Sequence, residues 1–117
     1  MTTILLVTDA ASVRSRVHSN LGGTEVTIID HTDPRTAAAT AYELGVDQVV
    51  VDMQVGSMGA MAVARAVRAH TDPDGAIPVT ILLDRKADKF LAKRAGAVNW
   101  VEKNGPASDL RTAVGMH

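Results

Sequence analysis

Asp52, Asp9 and Lys103 are the residues of this sequence whose types and positions could do chemistry together. Asp52 closes the most apolar run of the chain, Val49-Val50-Val51-Asp52, which reads as a buried parallel strand ending in an acid. Asp9 follows a second such run, Ile4-Leu5-Leu6-Val7, and Lys103 follows a third, Trp100-Val101-Glu102. In open α/β sheets, ligand sites gather beyond the carboxyl ends of the strands. Carboxylates held close repel each other, and a hard cation such as Mg2+ relieves that with oxygen ligands while keeping several waters. A carboxylate is also a competent phosphoryl acceptor, and lysine brings a compact positive charge to a phosphoryl oxygen. Each residue alone has a plainer reading. Either acid could cap the helix that follows it, and most lysines are solvated surface groups. Two acids and a lysine at three converging strand ends point instead to phosphoryl chemistry with a divalent cation.

These residues meet only if their strands run parallel and side by side, and the rest of the chain supports that. Strand-like runs at 3–8, 25–30, 48–52, 78–83 and 98–102 alternate with stretches of helical periodicity. Val13, Val17 and Leu21 form one helical stripe, stopped by Gly22-Gly23. Asp33-Pro34 reads as the start of an alanine-rich helix that runs to Leu44 and ends at Gly45. After a loop from Gly56 to Gly59, Met61, Ala64, Val67 and Arg68 mark a third helix ending near His70. Thr71-Asp72-Pro73-Asp74-Gly75 is turn chemistry. A short helix from Ala87 to Arg94 is closed by Gly96, and Gly105-Pro106 opens a last one carrying Leu110, Ala113 and Val114. Five βα units in this order predict a doubly wound, five-stranded parallel sheet with helices on both faces, a flavodoxin-like (βα)5 fold.

Composition narrows the function classes. A chain of 117 residues supports one core. Its net charge of −1 gives no bulk electrostatic case for direct nucleic-acid or membrane binding. With no cysteine, disulfides and thiolate metal sites are excluded. No apolar run approaches a membrane span, and no signal-peptide pattern opens the sequence, so a cytoplasmic location is expected. Thr8-Asp9-Ala10-Ala11-Ser12 lacks the glycines of a nucleotide fingerprint. A flavin binder is disfavoured because aromatics make up only 3% of residues.

Along essentially its whole length the chain resembles the response-regulator receiver domain of two-component signalling. The resemblance lies in Ile4-Leu5-Leu6-Val7-Thr8-Asp9, Asp52-Met53-Gln54-Val55-Gly56-Ser57-Met58, Ile77-Pro78-Val79-Thr80-Ile81-Leu82-Leu83 and Ala95-Gly96-Ala97-Val98-Asn99-Trp100-Val101-Glu102-Lys103. It implies that Asp52 accepts a phosphoryl group from a histidine kinase or phosphotransfer protein. Asp9, Asp52 and the Gln54 backbone carbonyl would bind Mg2+, and Lys103 would contact the phosphoryl group. Output would pass to a downstream protein partner through the fourth helix, fifth strand and fifth helix. Such a domain is a signalling part rather than a metabolic enzyme. Residues 1–117 are expected to form one receiver-like domain with no output domain, acting by partner binding unless cut from a longer protein.

The departures define an atypical member. Thr8 stands where the family usually has a first acid, which should weaken Mg2+ binding. Leu83 replaces the Ser or Thr that follows the phosphoryl group, and Trp100 takes the place of the coupled Tyr or Phe, so both switch positions are altered. Trp100 reads equally as core or as switch. Asp84 would repel a phosphoryl group unless it turns outward or pairs with Arg85. The family's Lys-Pro step is Lys103-Asn104 here, and Gly56 replaces a loop proline. Met53, Met58 and Met61 read as packing, and His18, His31, His70 and His117 as surface groups. The rival reading is a pseudo-receiver, a phosphorylation-independent interaction module, which Thr8, Leu83 and Asn104 favour. Homodimerisation through the last helix is also open, because its apolar positions serve packing and pairing alike.

Overall fold

Apolar runs bounded by turn residues become strands here, and the stripes between them become the helices that cover the sheet. A computed structural model describes residues 2–23, 25–54, 59–70, 77–85, 88–94, 97 and 99–115, the His70 side chain excepted. Its strands are β1 (Thr2–Val7), β2 (Val26–His31), β3 (Gln48–Asp52), β4 (Val79–Leu83) and β5 (Asn99–Glu102). All pair in parallel in the order β2-β1-β3-β4-β5. The helices are α1 (Ala11–Leu21), α2 (Ala37–Leu44), α3 (Ala60–His70), α4 (Lys89–Arg94) and α5 (Ala107–Ala113). This is the expected doubly wound sheet.

The three inner strands are apolar on both faces because both faces are covered. Successive residues point to opposite sides. Ile4, Leu6, Val50, Leu82 and Val101 pack with Val17 and Leu21 of α1 and with Leu110 and Val114 at the last helix. Leu5, Val7, Val49, Val51, Val79, Ile81 and Leu83 pack with the small residues of α2 and α3 and with Ala92 of α4. Alanine at 37, 38 and 41 lets α2 lie close to the sheet.

Four details refine the sequence reading. The helix expected from Asp33-Pro34 opens with a 3-10 turn, Pro34–Thr36, before α2 begins. Asp33 accepts a hydrogen bond from the Arg35 backbone N–H at 2.9 Å, and its carbonyl accepts one from Thr36 at 3.3 Å, which tightens that turn. Gly45 ends α2 with a left-handed φ of 64°, where its N–H reaches the carbonyls of Ala41 and Tyr42. On α3 the buried stripe is Ala60, Val63, Ala64 and Val67, whereas Arg68 is exposed and Met61 is half-buried. No peptide bond among the described residues is cis, so Lys103–Asn104 is trans. Residues 55–58, the turn at 71–75, Ala87, Gly96 and His117 lie outside the described residues.

Leu6 is fully buried and pairs with Val50 between the two central strands. Leu6→Ala should lower unfolding free energy by about 2–5 kcal/mol, read as a lower urea midpoint with an unchanged slope.

Candidate functional site

The parallel sheet brings the carboxyl ends of β1, β3, β4 and β5 to one edge. Asp52, the last residue of β3, is 1% exposed. A buried carboxylate must have its oxygens satisfied, and three groups do so. The Thr8 hydroxyl, just past β1, donates to Asp52 Oδ2 at 2.8 Å. The Gln54 backbone N–H donates to Oδ1 at 2.9 Å. Lys103 Nζ forms an ion pair with the same Oδ1. Thr8 is itself fixed, because its hydroxyl oxygen accepts the Ala10 N–H at 3.1 Å and its backbone N–H donates to the His31 carbonyl at 3.1 Å.

Lys103 is placed by backbone pairing, since its N–H donates to the Leu83 carbonyl at 2.9 Å. That bond puts Asp84, the residue after Leu83, beside the ammonium, and Nζ donates to Asp84 Oδ1 at 2.7 Å. Asp84 therefore pairs with Lys103 rather than with Arg85. Arg85 instead turns to Asp88, with NH2 on Oδ1 at 3.0 Å. Burial works against the Lys103 charge, but hydrogen bonds to Asp52 and Asp84, with the charges of both, hold its pKa above the ordinary value. Burial also pushes the Asp84 carboxyl up, and hydrogen bonds from the Lys103 and Gln54 side chains, with the Lys103 and Arg85 charges, outweigh it and hold the carboxyl low.

Asp9, Asp52, Gln54, Asp84, Lys103 and Asn104 line one cleft. The helix-start position is Ala10, whose side chain offers no cap, and Asp9 lies one residue before it on the cleft wall. Among the described residues, no group of three or more His, Cys, Asp or Glu is set to hold a metal. Asp9, Asp52 and the Gln54 carbonyl are hard oxygen donors, and Mg2+ needs only one or two carboxylates if it keeps its waters. Donors of this kind would suit a Mg2+ that keeps most of its waters.

The two switch positions take different surroundings. Leu83 is 2% exposed, its aliphatic carbons filling the core. Trp100 is half-buried, packs against the α2–α3 side of the core and also lines a surface cleft with Asn99, Asp109 and Thr112. Met53 and Met61 pack against the same core. His18 pairs with Asp30 at 2.9 Å and His31 with Thr36 at 2.8 Å.

Two roles escaped the sequence reading: the Thr8 hydroxyl as a donor to Asp52, and Asp84 as a second anion on Lys103. The second had a usable signal. Parallel pairing sets Leu83 against Glu102, so Asp84 and Lys103 are the next residues out on adjacent strands.

No family model matches the sequence, and no curated protein matches it. Solved structures do match in three dimensions. The chemotaxis response regulator CheY4 of Vibrio cholerae is 23% identical, covers 97% of this chain and 96% of its own, and superposes with a TM-score of 0.83. The receiver domain of sensor histidine kinase PA1611 from Pseudomonas aeruginosa, with magnesium coordinated in its active-site cleft, is 19% identical over 97% of this chain and 93% of its own, with a TM-score of 0.81. The BeF3-activated receiver domain of Klebsiella pneumoniae RstA is 20% identical over 98% and 100%, with a TM-score of 0.79. The chain has the fold of response-regulator receiver domains.

Thr8→Val keeps the shape but leaves a buried carboxylate oxygen without its donor. It should cost about 1.5–3 kcal/mol in urea unfolding, and the cost should shrink when measured in an Asp52→Asn background. The Asp84–Lys103 pair gives a pH signature. Because the folded Asp84 pKa is depressed, the unfolded chain takes up that proton first as pH falls. The pair's contribution is complete above about pH 4 and is lost below it. Because the folded Lys103 pKa is raised, the contribution also persists up to about pH 10 and is lost above. The stability difference between wild type and Asp84→Asn should be flat from mildly acidic to mildly alkaline pH and shrink as pH falls below about 4.

Proposed function

We propose that the chain is a phosphoacceptor receiver domain of a two-component system. The supporting observation is Asp52 itself: a carboxylate 1% exposed at a strand end, with a lysine ammonium on one oxygen. A carboxylate buried with its cation in a cleft has little structural reason to be there, since an apolar residue would pack more cheaply.

A carboxylate oxygen of Asp52 attacks the phosphorus of a phosphohistidine on the partner kinase or phosphotransfer protein. The new P–O bond forms as the P–N bond breaks, and the leaving imidazole nitrogen keeps the electron pair and takes a proton. Gln54 N–H and the Thr8 hydroxyl hold the carboxylate in orientation throughout. Lys103 starts on Asp52 and can follow negative charge as it moves to the phosphoryl oxygens. Mg2+ held by Asp9, Asp52 and the Gln54 carbonyl would supply charge neutralisation there. In this role the domain is a signalling part and not a metabolic enzyme, acting in the cytoplasm.

Output would pass to a protein partner on the face of α4, β5 and α5. α4 packs on β5 and leaves Phe90 61% and Leu91 44% exposed, next to a strand that carries Trp100. The same face could serve a homodimer. A second reading, a phosphorylation-independent interaction module, is favoured by one observation: Leu83 puts no hydroxyl where one would follow the phosphoryl group.

Labelled protein titrated with Mg2+ and then beryllofluoride, a mimic of an aspartyl-bound phosphoryl group, separates the two. Phosphoacceptor chemistry predicts amide shifts at Asp9, Asp52 and Lys103 that disappear in Asp52→Ala. An unchanged spectrum would leave the interaction module standing.

A further inference from the structure

The β4–β5 edge places a second anion on the lysine that the site depends on. Lys103 Nζ is shared between Asp52 Oδ1 and Asp84 Oδ1, the latter at 2.7 Å. The two carboxylates differ in depth. Asp52 is 1% exposed at the floor of the cleft, and Asp84 is 32% exposed at its mouth. A phosphoryl group approaching Asp52 from solvent meets Asp84 on the way, and its oxygens seek the same ammonium. Among the described residues, the neighbouring Arg85 makes its guanidinium contacts, at 3.0 and 3.4 Å, to Asp88, so Lys103 is the cation that Asp84 touches. The backbone bond from Lys103 to Leu83 fixes the start of the segment, and the Gln54 side chain holds the carboxylate from the β3 side.

We propose that Asp84 is an internal competitor of the phosphoryl group: its carboxylate occupies Lys103 in the resting protein and must surrender it before Asp52 can be stably phosphorylated. This rests on the phosphoacceptor reading of Asp52. Two negative groups cannot share one ammonium without repulsion, so the carboxylate at the mouth raises the threshold for any anionic donor. The charge of Asp84 carries the effect, not its bulk. Asparagine retains the size and an acceptor oxygen and lacks the charge.

The test compares wild type, Asp84→Asn and Asp84→Ala at one Mg2+ concentration. Beryllofluoride is titrated and followed by the amide signals of Asp52 and Lys103, and phosphoryl incorporation from phosphoramidate is followed by intact mass. The resting amide spectrum of each variant checks its fold. Both variants should reach half-saturation at roughly tenfold lower beryllofluoride and take up phosphoryl groups faster by a similar factor. Equal half-saturation in all three proteins would overturn the competition and leave Asp52 as a phosphoacceptor. A gain in Asp84→Ala alone would overturn it too, by showing that bulk obstructs the site. Binding in none of the three would remove the phosphoacceptor reading and this inference with it.

Discussion

A carboxylate with 1% exposure, at the end of the third strand, is the constraint on which the rest of this site depends. Removing a charge from water costs several kcal/mol unless partners replace the lost hydration. Asp52 meets that demand from three directions: a hydroxyl from the end of β1, a backbone N–H two residues ahead and an ammonium from the end of β5. No single element could supply all three. The parallel sheet can, because every strand ends at the same edge and the central strand lies between the contributors. Loss of either flanking strand pairing would leave the charge short of a partner.

The same geometry explains why the apolar residues are distributed as they are. β1, β3 and β4 must be apolar on both faces to keep water from the floor of the site, and the valines and leucines of these strands do that. β2, at the open edge, is only partly buried and carries exposed Asp30 and half-buried His31. Small residues on α2 and α3 let those helices approach the sheet closely, which is why a chain with few aromatics can still fill its core.

The strands and their ends could be read from the chain because each rests on a local pattern, and their alternation with helices implied the parallel sheet on which Asp52 and Lys103 converge. An apolar run announces a buried strand, and its last residue announces the edge. What could not be read that way depends on torsions and neighbours. The pattern at Asp33-Pro34 indicates a helix start and not whether the first turn closes to i+3 or i+4, which the Asp33 carboxylate decides here. Thr8 looks like a missing acid in sequence, and only its distance to Asp52 makes it a donor. Arg85 is adjacent to Asp84 in the chain, yet adjacency is a poor guide at a strand end. Strand pairing brings Lys103 to Asp84, while Asp88, whose N–H donates to the Arg85 carbonyl, takes the Arg85 side chain.

The residues at this edge leave the resting site satisfied by different means. Thr8 sets a neutral hydroxyl against Asp52 and donates to it. Asp84 places a second negative charge directly on the ammonium of Lys103. Leu83 is buried and extends the core with aliphatic carbons. Among the described residues, no buried side-chain oxygen or nitrogen lacks a hydrogen-bond partner. A site built with open valences would gain most from an incoming ligand, whereas one already satisfied gives up existing bonds to accept it. Any group that takes Lys103 from Asp52 and Asp84 must therefore offer bonds that outweigh the ones it breaks.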